Sequence, residues 1–248
     1  MLLSACAAPA IIPDVGRITA LRKMRVIALG PVPLELPPGM ASAVAAQLPK
    51  PSVSAARGVA VYSGILMLIE MPEALSRSAQ AGRAVADQLG SRDAWSPQVV
   101  VAADAAGHLR STGRQVLGPV AKGMPGVSVD DYENSLNPYY KALGDWWNGA
   151  TSTVDYLSPE LEDVDALLEV GISYSAFFAG ELLVFLNIKL VDPSTRAVIA
   201  RARDYAHKPV GMPDAALRDD AAQFKQVFGE LSASLVRSTL AELGFLSR

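Results

Sequence analysis

Leu182-Leu183-Val184-Phe185-Leu186-Asn187-Ile188-Lys189-Leu190-Val191, followed by Asp192-Pro193-Ser194-Thr195, is the stretch from which the fold is read. Leu182, Val184, Leu186, Ile188 and Leu190 alternate, which places them on one face of a strand, while Asn187 and Lys189 turn the opposite way. Asp-Pro-Ser-Thr is turn chemistry. Arg196 to Tyr205 then returns, with Val198, Ala200 and Ala202 on one face and Arg201 and Arg203 on the other. Upstream, Ala166 to Tyr174 reads as a further strand. The expectation is a three-strand antiparallel meander with one buried face.

A buried face needs a cover. Pro213-Asp214 opens a helical pattern in which Leu217, Ala221, Phe224, Phe228, Leu231, Leu235 and Leu243 recur at spacings of three and four or their sums. Arg218, Lys225, Glu230, Arg237 and Glu242 occupy other positions. This long amphipathic helix is the natural partner of the meander.

Toward the N-terminus, Met24 to Leu29 is a short strand pattern that stops at Gly30-Pro31. Residues 31–58 hold six prolines and read as an extended surface excursion. Val59 to Ile69 is strand-like, and Met71-Pro72-Glu73 starts a helix that Gly90 closes. Ser96-Pro97 reads as an N-cap and first helical residue. Val99, Val100, Ala103, Ala106 and Leu109 are the apolar side of that helix, which ends at Gly113. Gln115 to Leu117 is a candidate strand. Residues 124–165 form an insertion rich in aromatic residues, helical around Asn137 to Trp147, that ends in the acidic run Glu160, Glu162, Asp163 and Asp165. The fold class is α+β: an α/β sandwich whose mixed sheet ends in the meander packed by the C-terminal helix. Residues 1–22 read as a signal remnant and flexible tether, and 23–248 as one domain.

Cys6 is the only cysteine, and it closes the run Leu3-Ser4-Ala5-Cys6. That run resembles a bacterial lipobox, in which the cysteine receives acyl chains such as palmitate. Five residues precede it, whereas a signal needs a basic start and an apolar stretch of about 7–15 residues. The reading therefore expects an in-frame extension upstream of Met1. By resemblance to this class, Ala7 after the cysteine points to the outer membrane, with the domain facing the periplasm; a soluble periplasmic protein is the alternative. A single thiol gives no intramolecular disulfide.

The order of elements is similar to that of periplasmic lipoproteins whose domain resembles the N-terminal domain of the translocation protein TolB and the curli-secretion lipoprotein. The residues that carry it are the strand ending in Gly30-Pro31, the helix after Ser96-Pro97 with its following strand, Leu168-Glu169-Val170-Gly171, the hairpin turning at Asp192-Pro193, and the last helix. The likeness spans roughly residues 24–30 and 96–245. The 124–165 insertion departs from the pattern. No membrane-crossing hairpin of the curli-pore kind is evident, so channel formation is not implied.

Composition narrows the function. Half of the 248 residues are apolar, enough for a sizeable core, and the net charge of −3 lacks the basic footprint of a nucleic-acid binder. No stretch reaches the roughly 18 apolar residues of a membrane span. With only His108 and His207, a zinc site of the His/Cys type has no ligand set. No Gly-x-Gly-x-x-Gly or P-loop pattern occurs, so no nucleotide cofactor is expected. Glu160 to Asp165 offers oxygen ligands for Ca²⁺ but lacks the EF-hand glycine and spacing; a solvated loop is the simpler reading.

Three functions remain. The leading one is a non-enzymatic envelope lipoprotein, anchored at Cys6, that binds or helps assemble other envelope proteins. Tyr139, Tyr140, Trp146 and Trp147 are its candidate contact residues, because aromatic side chains bury much area with few rotors; the alternative for them is a satellite core. The second is a hydrolase: Gly171-Ile172-Ser173-Tyr174-Ser175 half-resembles a nucleophile elbow, with Asp192 and His207 following in acid-then-His order. Ser175 stands where the elbow needs its second glycine. The third is a small-ligand-binding lipoprotein that uses the aromatic insertion.

Overall fold

The computed structural model describes residues 11, 14–30, 95–127, 137–178, 180–211 and 221–247. The expected excursion over 31–58, the strand-like run 59–69, the helix after Pro72 and the Pro213-Asp214 helix start lie outside the described residues, as does Cys6. The described elements are helix α1 (Val15–Ala20), strand β1 (Lys23–Gly30), helix α2 (Pro97–Ser111), strand β2 (Gln115–Gly123), helix α3 (Asn137–Asn148), the single turn α4 (Ser158–Leu161), strands β3 (Ala166–Phe178), β4 (Glu181–Val191) and β5 (Val198–Pro209), and helix α5 (Ala222–Glu242).

The five strands form one mixed sheet in the order β2-β1-β3-β4-β5. β1 runs parallel to both β2 and β3, while β3, β4 and β5 form the expected antiparallel meander. Leu182, Val184, Leu186, Ile188 and Leu190 all enter the larger core, together with Phe224, Phe228, Leu231 and Leu235 of α5 and Val101, Ala105 and Leu109 of α2. Period two on the strand and 3.6 on the helix thus meet at one interface.

Three expectations change in detail. The buried side of α2 is Val101, Ala102, Ala105, Ala106 and Leu109, with Val99 exposed and Ala103 turned to solvent; Ala106 and Leu109 are buried as expected, and the sheet selects the rest of the face. β2 continues past Leu117 to Gly123 because a register shift opposite Val26 absorbs Gly118-Pro119. Gly118 has φ +93, and a Cβ there would lie 2.7 Å from the Val26 carbonyl oxygen, so only glycine fits. On β5, a bulge between the Leu190/Ala200 and Val191/Val198 pairs brings Ile199, rather than Val198, into the helix-side core.

The expected tether also ends earlier. Asp14 caps α1 through its carboxylate, which accepts from the Gly16 and Arg17 amides at 2.9 and 3.3 Å. Ile18 is fully buried, and Arg17 reaches Asp192 at 2.7 Å. The chain is therefore docked at the end of the sheet where β1 begins, from Asp14 rather than from residue 23.

Asp192 closes the β4–β5 turn. Its Oδ1 accepts from the Ser194 hydroxyl at 2.6 Å and from the Ser194 and Thr195 amides at 3.0 Å each. The Ser194 hydroxyl first, then the Thr195 amide, hold its carboxyl down at about 2. The unfolded carboxyl titrates near 3.8, so the stabilisation is full above that pH and is lost as pH falls toward 2. Asp192→Ala should cost about 1–2 kcal/mol at pH 7 and almost nothing at pH 2. Urea midpoints at the two pH values check this; an equal loss at both would refute it.

Candidate functional site

The second face of the sheet is where the sequence was least legible. Asn187 and Lys189 do turn away from the helix-side core, as their alternation requires, but both are buried. Helix α3 and the segment after it lie over them. Ile27, Leu29, Leu167 and Val191 from the sheet pack there against Ala142, Leu143, Trp146, Val154 and Tyr156, making a second, smaller core.

Trp146 seats α3. It is 1% exposed, and its ring occupies the space over Gly171, where a Cβ would approach Cη2 to 3.1 Å and Cζ3 to 3.2 Å. Any larger residue at 171 must displace the indole. The last carbonyls of a helix have no partner within it and carry the negative end of its dipole. Two cations from the sheet meet them. Lys189 Nζ donates to the Trp146 carbonyl at 2.6 Å, and Arg201 Nη1 donates to the Trp147 carbonyl at 2.6 Å. The same cations lie over the two indole rings, at 5.3 Å for Lys189 on Trp146 and 5.5 Å for Arg201 on Trp147.

Glu169 is the centre of the cluster. It pairs across the sheet with Lys189, which pairs in turn with Arg201, so the three side by side form a charged row on a buried face. Its exposure is 0%. Trp146 Nε1 donates to Oε2 at 2.5 Å, and the hydroxyls of Ser152 and Tyr156 donate to Oε1. Ser152 also accepts from the Val154 amide at 3.2 Å, which fixes the chain after α3. Burial first, and then the Glu169 charge, push the Tyr156 phenol above its ordinary range, so it stays a donor. Burial holds the Lys189 ammonium below its ordinary range; Glu169 opposes this and Arg201 adds to it.

Chemically this is a clamp. Both carboxylate oxygens are engaged by donors from the insertion, and the two cations are engaged at the end of α3. A satisfied buried network of this kind fixes one arrangement of the elements it joins. It leaves Glu169 no open side from which to take a proton from a substrate.

The other candidate residues fall as follows. Trp147 is half-buried at the rim of the clamp. Tyr139 and Tyr140 lie on α3, with their side chains outside the described part. Ser173 sits inside β3, at the register shift between Ile172 and Tyr174, so the strand-to-helix turn of a nucleophile elbow is not formed there. His207 pairs with Leu183 near the start of β4, and Asp192 follows its end. Nine residues of strand at about 3.3 Å each put those two positions roughly 30 Å apart. His207 Nδ1 lies instead 2.7 Å from Glu181. The order Ser, Asp, His in the sequence therefore does not become a triad in space. His108 lies on α2.

The acidic run is divided among separate partners. Glu160 pairs with Lys122 at 2.9 Å and accepts from the Leu157 amide at 2.8 Å. Asp163 pairs with Lys23, and Asp165 accepts from the Arg22 and Lys23 amides at 2.7 and 2.8 Å. Those two amides hold the Asp165 carboxyl below its usual range. The run fastens the insertion to β1 and β2. Among the described residues, no three His, Cys, Asp or Glu side chains gather as a metal site, and no helix is long and apolar enough to cross a membrane.

Reading from residues alone missed Glu169. Its signal was present: an acid and a lysine, each placed on the polar side of an otherwise apolar strand. What covers that side is the insertion just before β3, and its own pattern does not say which face of the sheet it lies on.

No family model matches the chain, and no curated protein matches it. Among solved structures it is similar to the PelC dodecamer from Paraburkholderia phytofirmans, at 13% identity and TM-score 0.35, covering 96% of this chain and 91% of that one. It is similar to a hypothetical protein from Chlamydia trachomatis, at 10% identity and TM-score 0.40, covering 92% of this chain and 99% of that one. A lipoprotein from Neisseria meningitidis aligns at 11% identity and TM-score 0.30, covering 88% of this chain and 96% of that one. At these scores the likeness adds no weight to any function.

Proposed function

We propose that this chain is a non-enzymatic lipoprotein of the bacterial envelope, tethered through Cys6 to the outer membrane, with a domain that faces the periplasm and binds other envelope proteins. The observation that carries the reading is Leu3-Ser4-Ala5-Cys6, with the sole cysteine of the chain at the position that receives lipid. The docking of α1 from Asp14 limits the reach of such a tether. Eight residues from Cys6 to Asp14 span at most about 29 Å at 3.6 Å each, so the domain stands close to its anchor. More than one acyl chain is needed for stable anchoring. The hydrolase reading loses its support with the separation of Asp192 and His207. The clamp around Glu169 supports a holding role, since its polar atoms are spent on joining α3 to the sheet.

The test is intact mass spectrometry of the full-length product, expressed in bacteria from its own upstream sequence. The expected result is a chain that begins at Cys6 and carries acyl chains. A product that retains the residues before Cys6 and a free thiol would overturn the reading.

A further inference from the structure

We draw no further inference here: the strongest candidate, the face of β4 and β5 beyond α3, where the exposed Tyr205 ring stacks on Phe185, carries nothing, because nothing in the structure shows what covers it.

Discussion

Glu169→Ala should lower the stability of the protein by about 3–5 kcal/mol, the cost of breaking a buried charged network by removing one member. The loss has two named parts. The Trp146 indole and the Ser152 and Tyr156 hydroxyls all lose the acceptor that satisfies them, and each buried orphan costs about 1–3 kcal/mol when it finds no substitute. Lys189 keeps its bond to the Trp146 carbonyl but loses the nearby negative charge that helps keep it ionised. In a chain of this size the melting temperature falls by roughly 2–4 °C per kcal/mol. Urea unfolding measures the total. Hydrogen exchange locates it: protection should fall across 137–156 more than in α5. A loss under 1 kcal/mol, or one spread evenly over the chain, would show that Glu169 is not what holds the insertion. A second substitution sharpens the result. Lys189→Met should cost less in the Glu169→Ala background than alone, because the cation it removes is already uncompensated.

The second large effect belongs to the opposite face. Phe228 on α5 is fully buried in the helix-side core. Trp95 meets it edge-on with centroids 5.5 Å apart, and Phe224 lies at 6.0 Å. Phe228→Ala removes the transfer energy of a ring and leaves a cavity between α5 and the sheet, a combination that costs about 3–5 kcal/mol. The two predictions differ in where the damage falls. Phe228→Ala should loosen α5 and leave the Glu169 clamp protected, because the sheet separates the two cores. Equal loss of protection in 137–156 would mean that the layers do not behave as separate packing units.

Much of the fold was legible in the residues. The alternation of Leu182 to Leu190 and the spacing from Phe224 to Leu243 specify a strand and a helix whose apolar sides must meet, and they do. Asp192-Pro193 specified the turn between β4 and β5. Local chemistry sufficed at these places because burial on one face requires a strict period. The sequence was less informative where two elements compete for one surface. Part of the face of α2 was displaced because Ala and Val are apolar on every side of that helix, so packing against the sheet makes the choice. Strand β2 outlasts Gly118-Pro119 because a bulge tolerates residues that a regular ladder excludes.

The candidate site was legible only in part. Trp146 and Trp147 stand out in any reading of the insertion. Their separation into one fully buried ring and one half-buried ring depends on Gly171, 25 residues further on, which leaves room for the first. Ser173, Asp192 and His207 have the order of a triad, but order along a chain carries no distance. The antiparallel register puts Asp192 and His207 at opposite ends of one strand.

By itself, then, the sequence determined the meander and the long C-terminal helix that covers it. These follow from periodicity and from short motifs, which act within a few residues of one another. The tertiary structure alone decided that the polar face of the meander is buried too. Glu169, Lys189 and Arg201 look like solvated charges when read along their strands. They become a clamp because an insertion that ends before β3 lays its helix terminus and its hydroxyls over them. A charge is satisfied by whatever the fold brings within about 3 Å, and sequence spacing does not fix that distance for groups on different strands.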